Sequence, residues 1–380
     1  MELILKQYDI PLLRFSATND SSTPEIEVHW INEDQRHLLP LDMELSPEGI
    51  SRWMRRRTIP RNRAYVNRLL AKCGLNVNRP MGILALCKGL SVDDSYWVVE
   101  DGFEGTFEKY NLFENRFSEV LALIAFTGYG SSNRSSLASS PEFTTNGMLP
   151  KCWRRISGKV TLYKGSTDGG YNTGAEPYCE YYAAQVAAAM GIDAIPYGLS
   201  QWKGRLCSTC ELFTDIDHAY MPIGNLVQRG GFDAVAAYYE NLGEPFQKAF
   251  RDMLVFDAVI CNTDRHYGNF GFMIDNKTNT IAAPAPLFDH GNSLFNQAGP
   301  EDYESPEAFQ QYIDTLVPCV YDDFFATAKR FMADENREQL RKLLGFRFKR
   351  HVRYNLPPKR LKLMEEQVRK RAMRLLENKD

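Results

Sequence analysis

The chain has 380 residues, of which 44% are apolar and 24% charged, and its formal net charge is −3. That balance excludes a disordered, collagenous or low-complexity polymer, and the length allows two or three domains with ample core material. No uninterrupted apolar run is long enough to span a bilayer, and the start, MELILKQYDIPLL, lacks the basic head and long apolar stretch of a secretory signal, so the expected location is the cytoplasm, with no membrane partner.

The eight cysteines are scattered, which argues against a disulfide framework. Cys207 and Cys210 form a lone C-x-x-C without a second pair, and they read as buried reduced thiols. Charge is unevenly placed: residues 337–380 carry 15 Lys/Arg against 5 Asp/Glu.

Residues 2–14 and 24–41 read as strands with alternating apolar positions. Ser46, Pro47 and Glu48 then make a helix start: a cap, a first-turn proline and an acid. Thr58–Ile59–Pro60 breaks that helix, and a second runs over about 61–73 and stops at Gly74. Ile50, Trp53 and Leu69 are its expected core anchors. Arg52, Arg55, Arg56, Arg57, Arg61 and Arg63 lie on this helix–break–helix. They read either as a nucleic-acid contact or, preferably, as a solvated or acid-facing surface. A short helix near 80–88 leads to a strand at SYWVVE, and the Ser/Gly-rich stretch 128–140 is the linker candidate.

Next come two strands, 151–155 and 159–164, joined at Ser157–Gly158. The polar turn from Thr144 to Lys151 precedes them; such a loop offers backbone N–H groups and a cation to phosphates. Lys164 closes the alternating strand V-T-L-Y-K. A helix over 176–190 begins with Glu176–Pro177 and ends at Gly191. A strand lysine held by a helix glutamate is a phosphate-contacting device, and Glu180 is the expected partner of Lys164, with Glu176 as competitor. Strands at 195–199 and 205–213 follow, and the second ends in Glu211–Leu212–Phe213.

The most informative stretch is VFDAVICNTDRHYGNFGFMIDNKTNTIAAPAPLFDHGNSLF, residues 255–295. An apolar run delivers Asp264, Arg265, His266 and Asn269. A hairpin pattern follows, and a further apolar run ends at Asp289. Closing that hairpin would bring Asp264, Asn269 and Asp289 together. Phosphoryl transfer needs this chemistry: hard oxygen ligands for Mg²⁺ and one carboxylate to accept the proton of the attacking hydroxyl. Asn269 and Asp289 are the metal-ligand candidates and Asp264 the base. His266 supports the loop or contacts phosphate. Past Phe295 the pattern is mostly helical. Over 361–376 it presents Leu361, Leu363, Met364, Val368, Ala372, Leu375 and Leu376, with Met373 beside them, at near-helical spacing, and Lys362, Arg369, Lys370 and Arg374 on the other face.

The motifs TTNGMLPK, LYK, EYYAAQVAAAMGI, NTDRHYGNFGF and LFDHGNS, in this order over about residues 140–295, resemble the HipA-like serine/threonine protein kinase family and, more distantly, the phosphoinositide kinases. Their D-R-H order reverses the H-R-D of ordinary protein kinases. The resemblance implies a bilobal α+β kinase-like fold. It would have an N-terminal α/β accessory region (1–130), an N-lobe (140–215) and a helical C-lobe (216–380). ATP and Mg²⁺ are the implied cofactors. Asn146, Gly147, Met148 and Lys151 would form the phosphate loop, Lys164 and Glu180 the nucleotide pair, and Glu211 to Phe213 the adenine hinge. Asp264 and His266 would be catalytic, Asn269 and Asp289 the metal ligands, and Thr144 an autophosphorylation site. The family's metal-site run here reads F-D-H-G-N, nearer the D-F-G turn of other kinases. A protein substrate and an antitoxin-like partner are implied, with nucleic acid met only indirectly. The alternatives are a small-molecule or lipid kinase on the same site, and a non-catalytic regulatory module motivated by the basic C-terminal helix.

Overall fold

Alternation of apolar residues does produce strands at the start of the chain, with one more turn than expected. Residues 2–14 are two strands, β1 (Glu2–Gln7) and β2 (Ile10–Ala17), because Tyr8 takes a left-handed φ of 48° and reverses the chain. The second expected strand is shorter: β3 (Ile26–Ile31) gives way to a 3₁₀ turn, Glu33–Leu38. The computed structural model describes residues 1–18, 24–130, 139–170 and 172–377, so most of the linker candidate 128–140 lies outside the described residues. Two units separate. Unit 1 is Met1–Lys164 with Glu211–Met221 and Met273–Ala282, and unit 2 is Gly165–Cys210, Pro222–Phe272 and Ala283–Asp380.

In unit 1, α1 (Pro47–Arg56) starts at Ser46, whose side chain accepts the Gly49 N–H; α2 (Val66–Lys72) and α3 (Pro80–Cys87) follow. β4 (Tyr96–Glu100) completes an antiparallel sheet of order β3-β2-β1-β4. Two helices absent from the sequence reading, α4 (Phe107–Tyr110) and α5 (Glu119–Thr127), close this stretch. The sheet is apolar on both faces. Leu3, Leu5 and Phe15 pack with Ile50, Trp53 and Met54 of α1, whereas Ile4, Trp97 and Val99 pack with Trp153 and Val160. The last two belong to the hairpin of β5 (Lys151–Ile156) and β6 (Lys159–Lys164). A shared core therefore joins residues 1–130 to this hairpin, a division unlike the three regions expected from sequence.

Unit 2 opens with α6 (Glu176–Met190), capped by Gly191 at φ 79°, and the hairpin β7 (Gly198–Trp202)–β8 (Arg205–Glu211). The chain returns to unit 1 for most of β9 (His218–Pro222). It then forms α7 (Ile223–Leu226), α8 (Gly231–Leu242) and α9 (Phe246–Ile260). From Asp252 to Ile260, α9 is buried all round, which identifies it as the central helix of unit 2. The hairpin β10 (Gly271–Asp275)–β11 (Thr280–Pro284) joins β9 in the order β11-β10-β9. At its polar tip Asn279 donates to Leu39 O (2.7 Å) and His37 O (2.8 Å), and Asn276 O accepts from Gln7 Nε2 (2.7 Å).

The rest is helical: α10 (Pro306–Asp314), α11 (Phe324–Phe331), α12 (Asp334–Arg341) and α13 (Pro358–Leu376). Of the predicted apolar face of α13, Leu361, Leu363, Met364, Val368, Ala372 and Leu375 are buried, whereas Leu376 is half-buried and Met373 exposed. Arg371 is buried with it, donating to Ala258 O (2.6 Å) and lying over Phe325. Among the described residues no helix is long and apolar enough to cross a membrane.

Candidate active site

The loop after α9 exists because the helix ends abruptly. Cys261 takes a left-handed φ of 53° as its C-cap, and Asn262 N–H folds back to Asp257 O (3.1 Å). Arg265 then turns inward and meets Asp257 from the last turn of α9; both side chains are at most 1% exposed. All five guanidinium donors are used. Nε and Nη2 bind the two Asp257 oxygens (2.9 and 3.0 Å), Nη2 also meets His290 Nδ1 (3.1 Å), and Nη1 binds Asn269 O (3.1 Å) and Phe288 O (2.7 Å). Burial alone would lower the Arg265 pKa. The Asp257 charge and hydrogen bond, with a contribution from Asp289, outweigh it, so the pKa is raised and the ion pair persists. One cation thus ties the Asp264–Asn269 loop to the residue preceding Asp289.

The candidate side chains hang on this frame. Asp264 is half-buried, and its Oδ2 accepts from Asn292 Nδ2 at 2.8 Å. The Asn292 carbonyl also accepts from Thr263 N–H and Oγ1, both at 3.1 Å. Asn292 was not singled out from sequence, although it stands in the LFDHGNS motif. Burial first, and Asp264 second, push the Cys319 thiol up to about 11. Asn269 commits Nδ2 to Asp264 O (3.3 Å), so its amide oxygen is the atom with which it could meet a metal. Asp289 has a φ of 56°, a left-handed conformation that Asp tolerates better than most residues. Its N–H donates to Tyr197 Oη (3.1 Å), and the His290 N–H donates to Glu180 Oε2 (3.0 Å). Burial raises the Tyr197 pKa well above its usual value, with Glu180, Cys210 and Asp289 adding to it. His266 is exposed, and its Nδ1 accepts from Gly268 N–H (3.0 Å), where a Cβ would strike the imidazole at 2.9 Å. It supports the loop turn.

No cluster of three or more His, Cys, Asp or Glu side chains among the described residues could hold a metal. Asn269 and Asp289 offer one amide oxygen and one carboxylate. That hard, sparse donor set fits Mg²⁺ accompanied by phosphates and waters, and not a metal caged by protein alone.

Unit 1 holds the expected phosphate-loop residues. A second buried guanidinium, Arg63, pairs with Glu142 and donates to the carbonyls of Glu142, Thr145 (3.3 Å) and Lys151 (3.0 Å). Asn146, Gly147 and Met148 stand exposed between these anchors. Lys151 Nζ donates to Asn146 O (2.8 Å), and a Cβ on Gly147, at φ 94°, would collide with it. In the β5–β6 register Lys151 is directly opposite Lys164, and both are 6% exposed. Two buried lysines facing each other are unusual, because like charges at paired positions repel. Thr144 is buried, its hydroxyl donated to Leu90 O (3.0 Å), an inward arrangement that counts against autophosphorylation there. The Glu211 carboxylate is exposed and salt-bridged to Lys159 (2.7 Å). The Leu212 N–H binds Val160 O, and Phe213 packs edge-on against Tyr220. Along the basic helix pair, Arg57 is clamped by Asp94, Arg56 by Asp42 and Arg52 by Glu44, so the acid-facing reading holds for them.

No protein-family model matches the chain. The serine/threonine-protein kinase CtkA of Helicobacter pylori strain J99 is 27% identical over 135 residues, 32% of this chain, and the match spans only 41% of that relative. The crystal structure of the Helicobacter pylori proinflammatory kinase CtkA aligns with TM-score 0.48 at 16% identity, over 61% of this chain and 90% of that one. The HipA chain solved with HipB and operator DNA from Shewanella oneidensis aligns over 98% of this chain and 97% of its own, with TM-score 0.53 and 13% identity. The fold is therefore the expected α+β one, a mixed β/α N-terminal region followed by a mostly helical C-terminal region, shared with a HipA-like structure.

Proposed function

We propose that this chain is an ATP- and Mg²⁺-dependent phosphotransferase, a HipA-like serine/threonine protein kinase. The observation that carries the reading is the Arg265 frame, which links the loop of Asp264 and Asn269 to Phe288–Asp289 while Asn292 holds one Asp264 oxygen. With Oδ2 so held, Asp264 Oδ1 accepts the proton of the acceptor hydroxyl as that oxygen attacks the γ-phosphorus of ATP and the bond from that phosphorus to the β,γ-bridging oxygen breaks, releasing ADP. Asn269 and Asp289 would hold Mg²⁺, which when bound neutralises phosphate charge. Lys151 and Lys164, opposed across one hairpin, supply cations for the phosphates, and the exposed 146–148 turn lies beside Lys151. In this reading Glu180 positions the segment after Asp289 through the His290 N–H.

The test is purified Asp264→Ala and Asp289→Ala with labelled ATP and Mg²⁺. Both should lose transfer by about 10³-fold with unchanged circular dichroism. Turnover at the parental rate in both removes the assignment. Incubating the parent with cell extract and separating protein, lipid and metabolite fractions decides the acceptor: label in metabolites or lipids alone replaces the protein-kinase reading with the small-molecule one. A partner protein belongs to the same proposal, since the HipA structure that shares the fold was solved with HipB. Co-expression with the product of the adjacent gene should yield one species on size exclusion.

A further inference from the structure

In unit 1 the short connection between α1 and α2 reaches the turn proposed to hold phosphate. Pro60 O accepts the Arg63 N–H (3.2 Å), and Tyr65 takes a left-handed φ of 58° just before α2 begins. Between them stand Arg63, 3% exposed, and Ala64. Arg63 pairs with Glu142 and donates to the carbonyls of Glu142 and Thr145 before the turn and of Lys151 after it. The Ala64 N–H donates to Met148 O (3.0 Å), inside the turn. Asn146 O accepts from Lys151 Nζ (2.8 Å). The carbonyls of residues 145, 146, 148 and 151 are thus all drawn back onto the protein.

The N–H groups of the same turn are treated in the opposite way. Those of Thr144 and Thr145 return to Pro141 O, at 3.1 and 3.0 Å. Those of Asn146, Gly147, Met148 and Leu149 meet no acceptor among the described residues, and Pro150 has no N–H to give. Asn146, Gly147 and Met148 are exposed. Consecutive amide donors whose carbonyls are engaged elsewhere suit an anion rich in oxygens. The turn's own sequence does not fix this polarity, because Arg63 and Ala64 hold two of its carbonyls, and Arg63 stands 82 residues before Thr145.

We infer that Arg63, together with the Ala64 N–H, is a positioning element of the phosphate turn, so that affinity for the nucleotide's phosphates is set from the N-terminal region; the assignment rests on the kinase reading above. Arginine suits the task because its planar fork serves a carboxylate and several carbonyls at once, which an ammonium cannot. The test compares calorimetric binding of adenosine and of a non-hydrolysable ATP analogue with Mg²⁺ to the full chain. Transfer kinetics with labelled ATP accompany it, on the extract fraction that the parent labels. Arg63→Lys should weaken the analogue by about tenfold or more and leave adenosine unchanged, raising KM for ATP with kcat within about twofold of the parent. Arg63→Met combined with Glu142→Gln removes the ion pair as a unit, strands no buried charge and keeps an acceptor for the Trp153 N–H. This double variant guards against a folding defect in the first and should show the same split. Arg61→Ala, at an exposed neighbour, should bind both probes as the parent does. Parental affinity for the analogue in both folded Arg63 variants would overturn the positioning role and leave the kinase reading intact. Equal weakening of adenosine would overturn it too, since the damage would not be confined to the phosphate turn. Selective loss of the analogue in the variants, with no acceptor ever labelled by the parent, would overturn the kinase reading and leave the positioning role standing.

Discussion

Two of the buried guanidiniums, Arg63 in unit 1 and Arg265 in unit 2, perform similar work with unequal means. Arg265 uses all five donors on partners at Asp257, Asn269, Phe288 and His290. Arg63 gathers Glu142, Thr145 and Lys151, but its Nε is buried without a partner. The carboxylate side differs as well. Burial raises the Glu142 pKa even though Arg63, the Trp153 N–H and Lys151 oppose it, whereas Asp257 outweighs the desolvation of Arg265. A buried ion pair stabilises only when its hydrogen bonds are complete, so the frame in unit 2 is the firmer one. It holds the loop of the proposed base, where, on that proposal, small displacements would cost most rate.

Replacing each arginine by lysine tests that ranking most severely. Lysine keeps the charge but loses the planar fork. Arg265→Lys should cost about 3–5 kcal/mol in urea unfolding and nearly all transfer activity, and Arg63→Lys should cost less on both counts. Equal losses would mean that the unpartnered Nε is immaterial.

A pH series sharpens the comparison at the next level. Burial, and then Asp94, push the Asp93 carboxyl in unit 1 up to about 6, and burial raises Glu142 in the same direction. Between about pH 4 and 6 the folded state then binds more protons than the unfolded chain, so these groups make unit 1 more stable as pH falls and less stable as it rises. Asp93 is half-buried, and the expected gain from Asp93→Asn at pH 7 is about 1 kcal/mol. Hydrogen-exchange protection of unit 1 peptides should rise from pH 7 to pH 5, after correction for intrinsic exchange, and Asp93→Asn should flatten the change. An unaltered pH slope in that variant would remove Asp93 as its source.

The smallest effect belongs to the exposed pair Lys159–Glu211, which has good geometry at 2.7 Å but side chains at least 60% exposed. Lys159→Ala should change stability by no more than about 0.5 kcal/mol, and 1 M salt should erase the difference. A loss comparable with that of Arg63→Lys would show that burial is not what separates strong pairs from weak ones here.

Local signals were legible in the sequence where neighbours in the chain decide the outcome. Pro177 and Gly191 bound α6 at the expected residues, Ser157–Gly158 closes the β5–β6 hairpin, and Asp264, Asn269 and Asp289 fall on segments joined within one frame. The extra turn at Tyr8 escaped notice because a tyrosine with positive φ has no compositional mark. The partners of the basic helix pair were hidden for a related reason: Asp94 and Glu142, which pair with Arg57 and Arg63, lie 37 and 79 residues away.

By itself, then, the sequence determined the elements, their caps and the residue types available for phosphoryl chemistry, since these follow from propensity, periodicity and short-range hydrogen bonding. Tertiary structure alone decided which charges meet. It set Lys151 opposite Lys164, turned Thr144 inward, gave Asp264 its partner in Asn292 and left Glu176 Oε2 without one. The free energy of a charge depends on its burial and on partners brought from distant parts of the chain, and neither is written in its neighbours.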